Sequence, residues 1–308
     1  MEKYNPNKVI LVTGGSGQIG IDLKAISKDK EINFLFPSSS ELDLSKNSLI
    51  ADYCNKVHPD LIINLGAYTN VDNAEVEKEK ALLVNHSAVK ELGNFCFDNK
   101  IGIIHFSTDY VFGNSKGPHK ANDIKSPINH YGLSKNYSED DLIKINPNSL
   151  IVRLASVFSD KGENFVKTIS NLILDNKQIN VVSDQKISLT YAGDVATIIM
   201  LLIHFYFLKN NFKFLNSNFI HFTNNGYTDW FSVAKLIQSE IKNSKDNNQS
   251  TLSNILSKDW DSKAKRPLDS RLYVDNNWFK SKGMVIPRWE TRVKKVVSSI
   301  LLNSKKEF

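Results

Sequence analysis

Short apolar runs separated by longer periodic segments mark the first half of the chain. The runs are mostly Val, Ile, Leu and Phe and show little alternation of apolar with polar positions, which is typical of strands buried on both faces of a sheet. Five such strands are predicted, at residues 9–12, 33–36, 61–65, 101–106 and 150–152. The segments between them are long enough for helices, so the pattern predicts an α/β fold with a doubly wound parallel sheet of the Rossmann type.

Beyond residue 158 the pattern becomes mixed. Helices and strands are predicted at residues 165–173, 179–182, 194–207, 219–223 and 230–241. The last helix has Thr228 or Asp229 as its N-cap. Residues 243–253 are polar and low in complexity, which predicts a mobile surface loop. We expect residues 1–158 to form the sheet domain, with elements at roughly 178–225 returning to it, and residues 159–308 to form mainly a smaller mixed α/β lobe.

Composition is ordinary for a soluble globular protein, with 41% apolar and 23% charged residues among 308. The formal net charge of +6 is spread thinly, without a run of like charges, which favours a small anionic ligand over nucleic acid. Residues 1–8 lack an apolar signal segment, and the longest apolar run, 196–208, predicts a buried helix too short to span a bilayer. We expect a cytoplasmic protein that binds neither membrane nor nucleic acid.

The two cysteines, Cys54 and Cys96, belong to no Cys-x-x-Cys or Cys/His motif, and the seven histidines share no ligand spacing. Buried free thiols in a reducing compartment fit this pattern better than a structural zinc site does. No metal site is predicted.

A glycine-rich turn lies between the first predicted strand and the helix that follows it. Gly14, Gly17 and Gly20 form a Gly-x-x-Gly-x-x-Gly motif. Glycines at such a junction allow a tight turn, close approach of a pyrophosphate to backbone N–H groups and close helix packing, while the helix N-terminus favours the anion. The motif predicts dinucleotide binding, and the alternative is a glycine turn without a ligand.

The end of the second strand bears on the type of dinucleotide. NAD-specific sites usually carry an Asp or Glu there for the ribose hydroxyls, but residues 37–40 are Pro-Ser-Ser-Ser. Ser38 and its neighbours are suited to a 2′-phosphate but lack an Arg among them, so NADPH is mildly favoured over NADH. Asp43 is predicted either to hydrogen-bond the adenine amine or to cap a helix that starts near Ser45.

Tyr131 and Lys135 lie four residues apart in a predicted helix, so their side chains share one face. An ammonium close to the phenol favours the ionised form and brings the pKa of the phenol nearer the operating range of an acid or base. Thr108 follows the fourth strand and is placed to hold a substrate oxygen against that phenol. The spacing alone is weak evidence, because exposed helices carry it by chance.

The residues after the third strand are mostly small and lie at its carboxyl end, where ligands of open α/β sheets bind. They are Gly66, Ala67, Tyr68 and Thr69. Asn85 lies beside the apolar face of the next predicted helix. It is either a satisfied interior polar group or a residue that organises the cofactor side of the sheet.

In these residues the chain resembles the extended short-chain dehydrogenase/reductases, and within them the dTDP-4-dehydrorhamnose reductase family. The glycine turn and Tyr-x-x-x-Lys are shared with the whole superfamily, whereas two further motifs point to this branch. They are Ser107-Thr108-Asp109-Tyr110-Val111-Phe112 and Arg266-Pro267-x-Asp269-Ser270-Arg271-Leu272. Ordered matches span roughly residues 8 to 290.

The resemblance implies hydride transfer from NADPH, or alternatively NADH, to the C4 ketone of a nucleotide-linked 4-keto-6-deoxy sugar by a monomer or homodimer. The implied catalytic residues are Thr108, Tyr131 and Lys135. The implied cofactor-binding residues are Gly14, Ser16, Gly17, Gln18, Ile19, Gly20, Ser38, Asp43, Leu44, Gly66, Ala67, Tyr68, Thr69 and Asn85, together with Tyr131 and Lys135. The implied substrate contacts are Val71, Asp109, Tyr110, Val111, Asn164, Gln185, Arg266 and Arg271. The two guanidinium groups are suited to a diphosphate, and their alternative role is in surface pairs with acidic residues.

Two departures from the family pattern bear on the sugar. Ser156 stands where the family usually has an aromatic residue, and residues 184–190 lack the Gly and Pro of the family's Asp-Gln-x-Gly-x-Pro-Thr. The leading hypothesis is reduction of dTDP-4-dehydro-L-rhamnose to dTDP-L-rhamnose for cell-surface polysaccharide. The alternatives are a reductase of a different nucleotide-linked keto-hexose, an epimerase or dehydratase on the same scaffold, and a noncatalytic binding subunit resembling the β subunit of methionine adenosyltransferase.

Overall fold

The computed structural model describes residues 8–28, 32–209, 211–213, 215, 217–244 and 247–304. The strands are β1 Val9–Thr13, β2 Asn33–Leu35, β3 Leu61–Asn64, β4 Gly102–Thr108, β5 Ser149–Leu154, β6 Val157–Phe158, β7 Gln178–Val182, β8 Lys186–Ile187, β9 Thr190–Tyr191, β10 Phe219–His221, β11 Thr228–Asp229 and β12 Thr251–Ile255. The helices are α1 Gln18–Ser27, α2 Ile50–Val57, α3 Val71–Ala74, α4 Lys78–Leu82, α5 Ala88–Asp98, α6 His130–Ile145, α7 Phe165–Leu174, α8 Ala192–Lys209, α9 Trp230–Ser244, α10 Asn276–Ser281 and α11 Trp289–Ser304.

The main sheet has six parallel strands in the order β10-β5-β4-β3-β1-β2. Every residue of β3, β4 and β5 is buried, because helices cover both faces of the sheet. One apolar core includes α1 and α8, and the other includes α2, α5 and α6. The predicted doubly wound parallel fold is confirmed.

Two strands of this sheet extend beyond their predicted ends. β4 continues through Thr108, so Ser107 and Thr108 are strand residues rather than the start of a loop. β5 continues through Leu154, which places Arg153 inside the sheet. There the buried guanidinium donates to the fully buried Glu139, with a separation of 2.8 Å between Nη2 and Oε2. Backbone pairing with a long neighbouring strand overrides the polar character of these residues.

The C-terminal part has an apolar core of its own, formed by α7, α9, α11 and β7. β7 pairs in parallel with β12 in a sheet of its own. The prediction of a surface loop over 243–253 is therefore wrong at both ends, since α9 continues to Ser244 and β12 begins at Thr251; residues 245–246 lie outside the described residues. The segment is polar because β12 is an exposed strand. β10 returns to the main sheet beside β5, and the domain boundary at 158 stays a prediction.

Helix α8 is 18 residues long and, by length and composition alone, apolar enough to cross a membrane. Half of that stretch is buried inside the protein. Its inward face contributes Val195, Ile198, Ile199 and Leu202 to the core shared with α1. The expected buried helix is therefore α8, and its apolar composition is accounted for by packing on the sheet.

Candidate functional site

The glycine turn joins β1 to α1. Gly14 has φ of +68°, and the N–H of Gly17 donates to the carbonyl of Gly14 at 3.0 Å. A Cβ at Gly20 would lie 2.6 Å from that carbonyl oxygen, so Gly20 lets helix and turn pack closely. A Cβ at Gly17 would meet only the same oxygen, at 3.3 Å. The outer side of Gly17, next to exposed Ser16, is thus open to a ligand.

The first turn of α1 carries no acidic residue, which preserves the positive end of the helix dipole for an anion. Gln18 and Ile19 are half-buried at this end. The Gln18 side chain turns toward the C-terminal lobe, where Oε1 accepts hydrogen bonds from Ser159 Oγ at 3.1 Å and Asn164 Nδ2 at 3.0 Å. The glycine turn is therefore tied to the segment that precedes α7.

Asp43 stabilises a turn and does not cap a helix. Its Oδ1 accepts from the backbone N of Ser45 at 2.9 Å and from Ser45 Oγ at 2.7 Å. The following helical turn begins at Asn47 without a side-chain cap, so the N-cap alternative is wrong. Leu44 lies directly against Gly66, where its side chain would clash with any added Cβ.

Asn85 is a satisfied interior polar group, and its role on the cofactor side of the sheet stays a prediction. It is fully buried in a π-helical turn at Leu83–Ser87 between α4 and α5. Its amide accepts from the N–H of Tyr68 at 2.8 Å and donates to the carbonyl of Tyr68 at 3.0 Å and to Ser134 Oγ at 3.0 Å. These bonds hold residues 66–69, at the carboxyl end of β3, against α6.

Helix α6 brings Tyr131 to the end of β4. Asn129 caps this helix through Gly132 N at 2.8 Å, so the side chain of Tyr131 starts from the first turn. Burial raises the pKa of Tyr131 to about 12 and outweighs the nearby Thr108 hydroxyl, which lowers it.

Lys135 does not pair with that phenol. Its buried Nζ donates to the carbonyl of Phe106 at 2.7 Å and lies 3.1 Å from Nε2 of His105. Burial lowers the pKa of Lys135 to about 7 and holds the pKa of His105 well below its usual value. The expectation that Lys135 lowers the pKa of Tyr131 is therefore wrong for this structure, because the amine is engaged by β4 and desolvation dominates both groups.

A cavity of about 660 Å³ lies between the carboxyl end of the main sheet and the C-terminal lobe. Its volume suits a small organic ligand. The predicted residues on its wall are Thr69, Val71, Thr108, Asp109, Tyr110, Tyr131, Asn164, Gln185 and Arg266. The cavity thus collects residues that are up to about 200 positions apart in the chain.

The other end of the cavity is apolar and aromatic, and sequence analysis did not assign it. Its wall includes Phe165, Ile169, Leu172, Ile179, Val181, Trp230 and Trp260. The rings of Phe165 and Trp230 are 4.5 Å apart, and Trp230 Nε1 donates to Gln185 Oε1 at 3.1 Å. The one signal in the sequence was Trp260, an aromatic residue in a polar segment. Its side chain is half-exposed in the structure. The remaining members read as ordinary core positions.

Two predicted substrate contacts do not reach the cavity wall. Val111 is fully buried in a small apolar cluster with Phe112, Ala155 and Leu272. Arg271 pairs with Asp269 at 2.7 Å and donates to the carbonyl of Gly117 at 2.8 Å. The fold uses Val111 as core and Arg271 as a link between loops, and their contact with the substrate stays a prediction.

Arg266 stays on the cavity wall but already has an acidic partner. Its Nη2 lies 2.9 Å from Oδ2 of Asp72. Asp72 also accepts from Ser262 Oγ at 2.8 Å and Ala264 N at 3.0 Å. This cluster joins α3 to the segment around residue 264. Arg266 therefore forms the predicted alternative, a pair with an acidic residue, and also lies on the cavity wall.

Asp109 is the most unusual polar group at the cavity. It is 3% exposed, Thr108 Oγ1 donates to its Oδ1 at 3.0 Å, and its Oδ2 makes no hydrogen bond within the described part of the chain. Burial raises its pKa to about 6, against hydrogen bonds from Ser270 and Thr108 that lower it.

We expect Asp109→Asn to stabilise the protein at pH 8 more than at pH 5. Because the folded-state pKa is above the ordinary value of 3.8, the folded state binds the proton more tightly, and the contribution of Asp109 to stability falls as pH rises through about 6. The rise of the pKa from 3.8 to about 6 corresponds to at most about 3 kcal/mol in the free energy of unfolding. Thermal melts of both proteins at the two pH values measure the difference.

The matched control for this substitution is Asp98→Asn, at an exposed position of α5. It should leave the melting temperature unchanged at both pH values. An Asp109→Asn protein that melts lower than wild type at pH 8 would contradict the assigned cause of the pKa shift.

The described residues contain no group of three or more His, Cys, Asp or Glu side chains that could hold a metal ion. Cys54 and Cys96 are both buried and unpaired with each other. Burial raises the pKa of the Cys54 thiol to about 12, so it stays protonated.

Comparison with known proteins identifies close relatives over nearly the whole chain. The family model described as RmlD substrate binding domain matches residues 8–302. A dTDP-4-dehydrorhamnose reductase of Sinorhizobium fredii is 33% identical over 297 residues, covering 96% of this chain and 99% of that protein. One of Aggregatibacter actinomycetemcomitans is 34% identical and covers 85% of this chain and 90% of that protein.

Solved structures agree with the sequence relatives. A dTDP-4-dehydrorhamnose reductase from Bacillus anthracis in complex with NADP has a TM-score of 0.83 at 26% identity, covering 95% of this chain and 99% of that one. The UDP-glucose 4-epimerase of Thermus thermophilus, at 13% identity and a TM-score of 0.73, shares the fold alone.

Proposed function

The chain belongs to the dTDP-4-dehydrorhamnose reductase family, and on that premise we propose that it reduces dTDP-4-dehydro-L-rhamnose to dTDP-L-rhamnose with NADPH or NADH. The observation that carries the proposal is the cavity at which Thr108 and Tyr131 lie beside Asp109 at the carboxyl end of β4. The alternative of a noncatalytic binding subunit has no specific observation in its favour.

The cofactor would bind along the carboxyl ends of β1, β2 and β3. The glycine turn supports this placement, because the open side of Gly17 and the acid-free first turn of α1 fit a pyrophosphate. We propose that residues 66–69, held by Asn85, form the wall facing the nicotinamide half. Bound NADPH or NADH supplies the hydride for the ketone carbon.

Tyr131 would donate its proton to the oxygen that becomes the C4 hydroxyl. Because burial holds the pKa of Tyr131 at about 12, the phenol carries its proton throughout the neutral range. Thr108 would hydrogen-bond the same oxygen and orient it toward the phenol. Lys135, one helical turn from Tyr131, would contact the cofactor ribose.

The substrate would lie across the cavity with its sugar toward Tyr131. We propose that Asp109, on the cavity wall, contacts the sugar and that the guanidinium of Arg266 contacts the diphosphate. The aromatic wall around Trp230 and Trp260 suits a pyrimidine base, since rings stack favourably on aromatic side chains. We propose that residues 159–308 mainly form the lobe that closes over this ligand.

The proposed reaction also bears on the biological role and the cellular location of the protein. The product is a precursor for cell-surface polysaccharide, and one relative, from Bacillus subtilis, is called a spore coat polysaccharide biosynthesis protein. We propose a cytoplasmic enzyme that acts as a monomer or homodimer, without a nucleic-acid or membrane partner.

The deciding experiment is oxidation of NADPH, followed at 340 nm, with dTDP-4-dehydro-L-rhamnose generated in place from dTDP-glucose by the upstream enzymes. We expect rapid oxidation and dTDP-L-rhamnose as the product, identified by mass spectrometry and NMR. Cofactor binding without turnover would overturn the substrate, and the same assay with other nucleotide-linked keto-hexoses would then identify the one accepted.

A further inference from the structure

A carboxylate folds back to the end of β2, although the residues directly after that strand carry none. Glu41 Oε2 accepts from the backbone N of Ser38 at 2.8 Å and from Ser38 Oγ at 2.8 Å. Ser38 Oγ also lies 2.8 Å from Ser40 Oγ. The Ser-x-x-Glu spacing is that of a capping box, in which the Glu side chain returns to the first N–H of the turn.

This turn lies next to the glycine turn. A Cβ at Gly15 would be 3.0 Å from the side chain of Phe36, the residue that follows β2. In Rossmann sheets the adenosine ribose binds at the end of β2, and the group that meets its 2′ position comes about 20 residues after the glycine motif. Glu41 stands 21 residues after Gly20. Its folded-back side chain brings the charge to this strand end.

The carboxylate competes with a 2′-phosphate in two ways. It already accepts the N–H and the hydroxyl of Ser38, which are the donors that a phosphate would need there. It also repels a second anion placed beside it. The hydrogen bonds from Ser38 hold the pKa of Glu41 below its usual value, so the carboxylate is charged at neutral pH.

Two lysines lie near this turn and act in the opposite direction. Lys56 is close enough to act electrostatically on Glu41, and Lys24 Nζ lies 5.9 Å from the centre of the Phe36 ring. Among the hydrogen bonds of the described residues, none joins Lys24 or Lys56 to Ser38. Their charges lower the repulsion at the 2′ position without removing it.

Building on the proposed function, we propose that Glu41 determines cofactor specificity in this chain by weakening NADPH binding, so that NADH becomes a competitive hydride donor. The effect is local to the 2′ position. It leaves the pyrophosphate and nicotinamide contacts unchanged.

The test compares Glu41→Gln with wild type in fluorescence titrations of NADPH and NADH, without sugar substrate. The amide keeps an acceptor for the Ser38 N–H but carries no charge, so the turn is retained. We expect NADPH to bind at least about fivefold more tightly to the variant, with NADH affinity changed by less than about twofold. The gain should shrink as salt is raised, because screening removes a charge effect and not a structural one.

Asp52→Asn serves as the matched control, because it removes one negative charge from an exposed position of α2, the helix that also carries Lys56. It should leave the NADPH to NADH affinity ratio within about twofold of wild type. Binding of both cofactors with the same ratio in Glu41→Gln as in wild type would overturn this inference alone. Failure of wild type to bind either cofactor would overturn the proposed function and this inference with it.

Discussion

Replacing Tyr131 with Phe lowers kcat by at least about 100-fold and leaves the Kd for NADPH within about twofold of wild type. The ring remains, so its edge-to-face contact with Tyr110, at 6.0 Å between centres, is kept. What is lost is the phenol that we propose protonates the new alkoxide beside Thr108. The cofactor contacts that we propose lie mainly along β1 and β3, so binding should persist.

Steady-state oxidation of NADPH and a fluorescence titration of the same samples separate the two effects. Tyr137→Phe is the matched control, because it makes the same change on the same helix at a half-exposed position against His86. It should turn over like wild type. Unchanged kcat in Tyr131→Phe would remove Tyr131 from the mechanism, and loss of NADPH binding would mean that its hydroxyl holds the cofactor rather than the substrate.

Replacing Gly17 with Val raises the Kd for NADPH by at least about 50-fold while the protein stays folded. The Gly17 backbone is extended, with φ of −74° and ψ of 169°, a conformation that Val adopts readily. The added side chain points to the open side of the turn, where the pyrophosphate would approach the backbone. The substitution therefore blocks the ligand more than it strains the fold.

Gly20→Val is the informative contrast, because its Cβ would lie 2.6 Å from the Gly14 carbonyl oxygen and from Gly15 Cα. We expect that protein to melt well below wild type, whereas Gly17→Val should melt within a few degrees of it. Thermal melts and NADPH titrations of both variants give the comparison. A folded Gly17→Val protein with wild-type affinity would show that the pyrophosphate does not pass this glycine.

Much of the site was predictable because it depends on local spacing. The spacing of Gly14, Gly17 and Gly20 predicts their turn. The four-residue spacing of Tyr131 and Lys135 places both on one helix face, independently of the residues around the helix. The charge state of that pair was not predictable from spacing. Lys135 bonds to β4 and both groups are desolvated, so the pKa of the phenol rises where a neighbouring ammonium alone would have lowered it.

The cavity wall shows the same division at longer range. Resemblance to the family placed Asp109, Asn164 and Arg266 at one site, but it also placed Val111 and Arg271 there, which the fold uses elsewhere. The partners of these two side chains are far away in the chain. Arg271 reaches Gly117, 154 positions upstream, and nothing in the sequence near Arg271 indicates that contact.

By itself the sequence determined the parallel sheet, the glycine turn and the helix that carries Tyr131, because buried strands, tight turns and helix faces are set by neighbours a few positions away. Only the tertiary structure decided which partner Lys135 takes, that β7 pairs with β12, that Glu41 folds back to the end of β2, and which aromatic rings close the cavity. The physical reason is that desolvation and side-chain contacts depend on which distant segments the fold brings together. The spacing of apolar residues along the chain does not indicate those contacts.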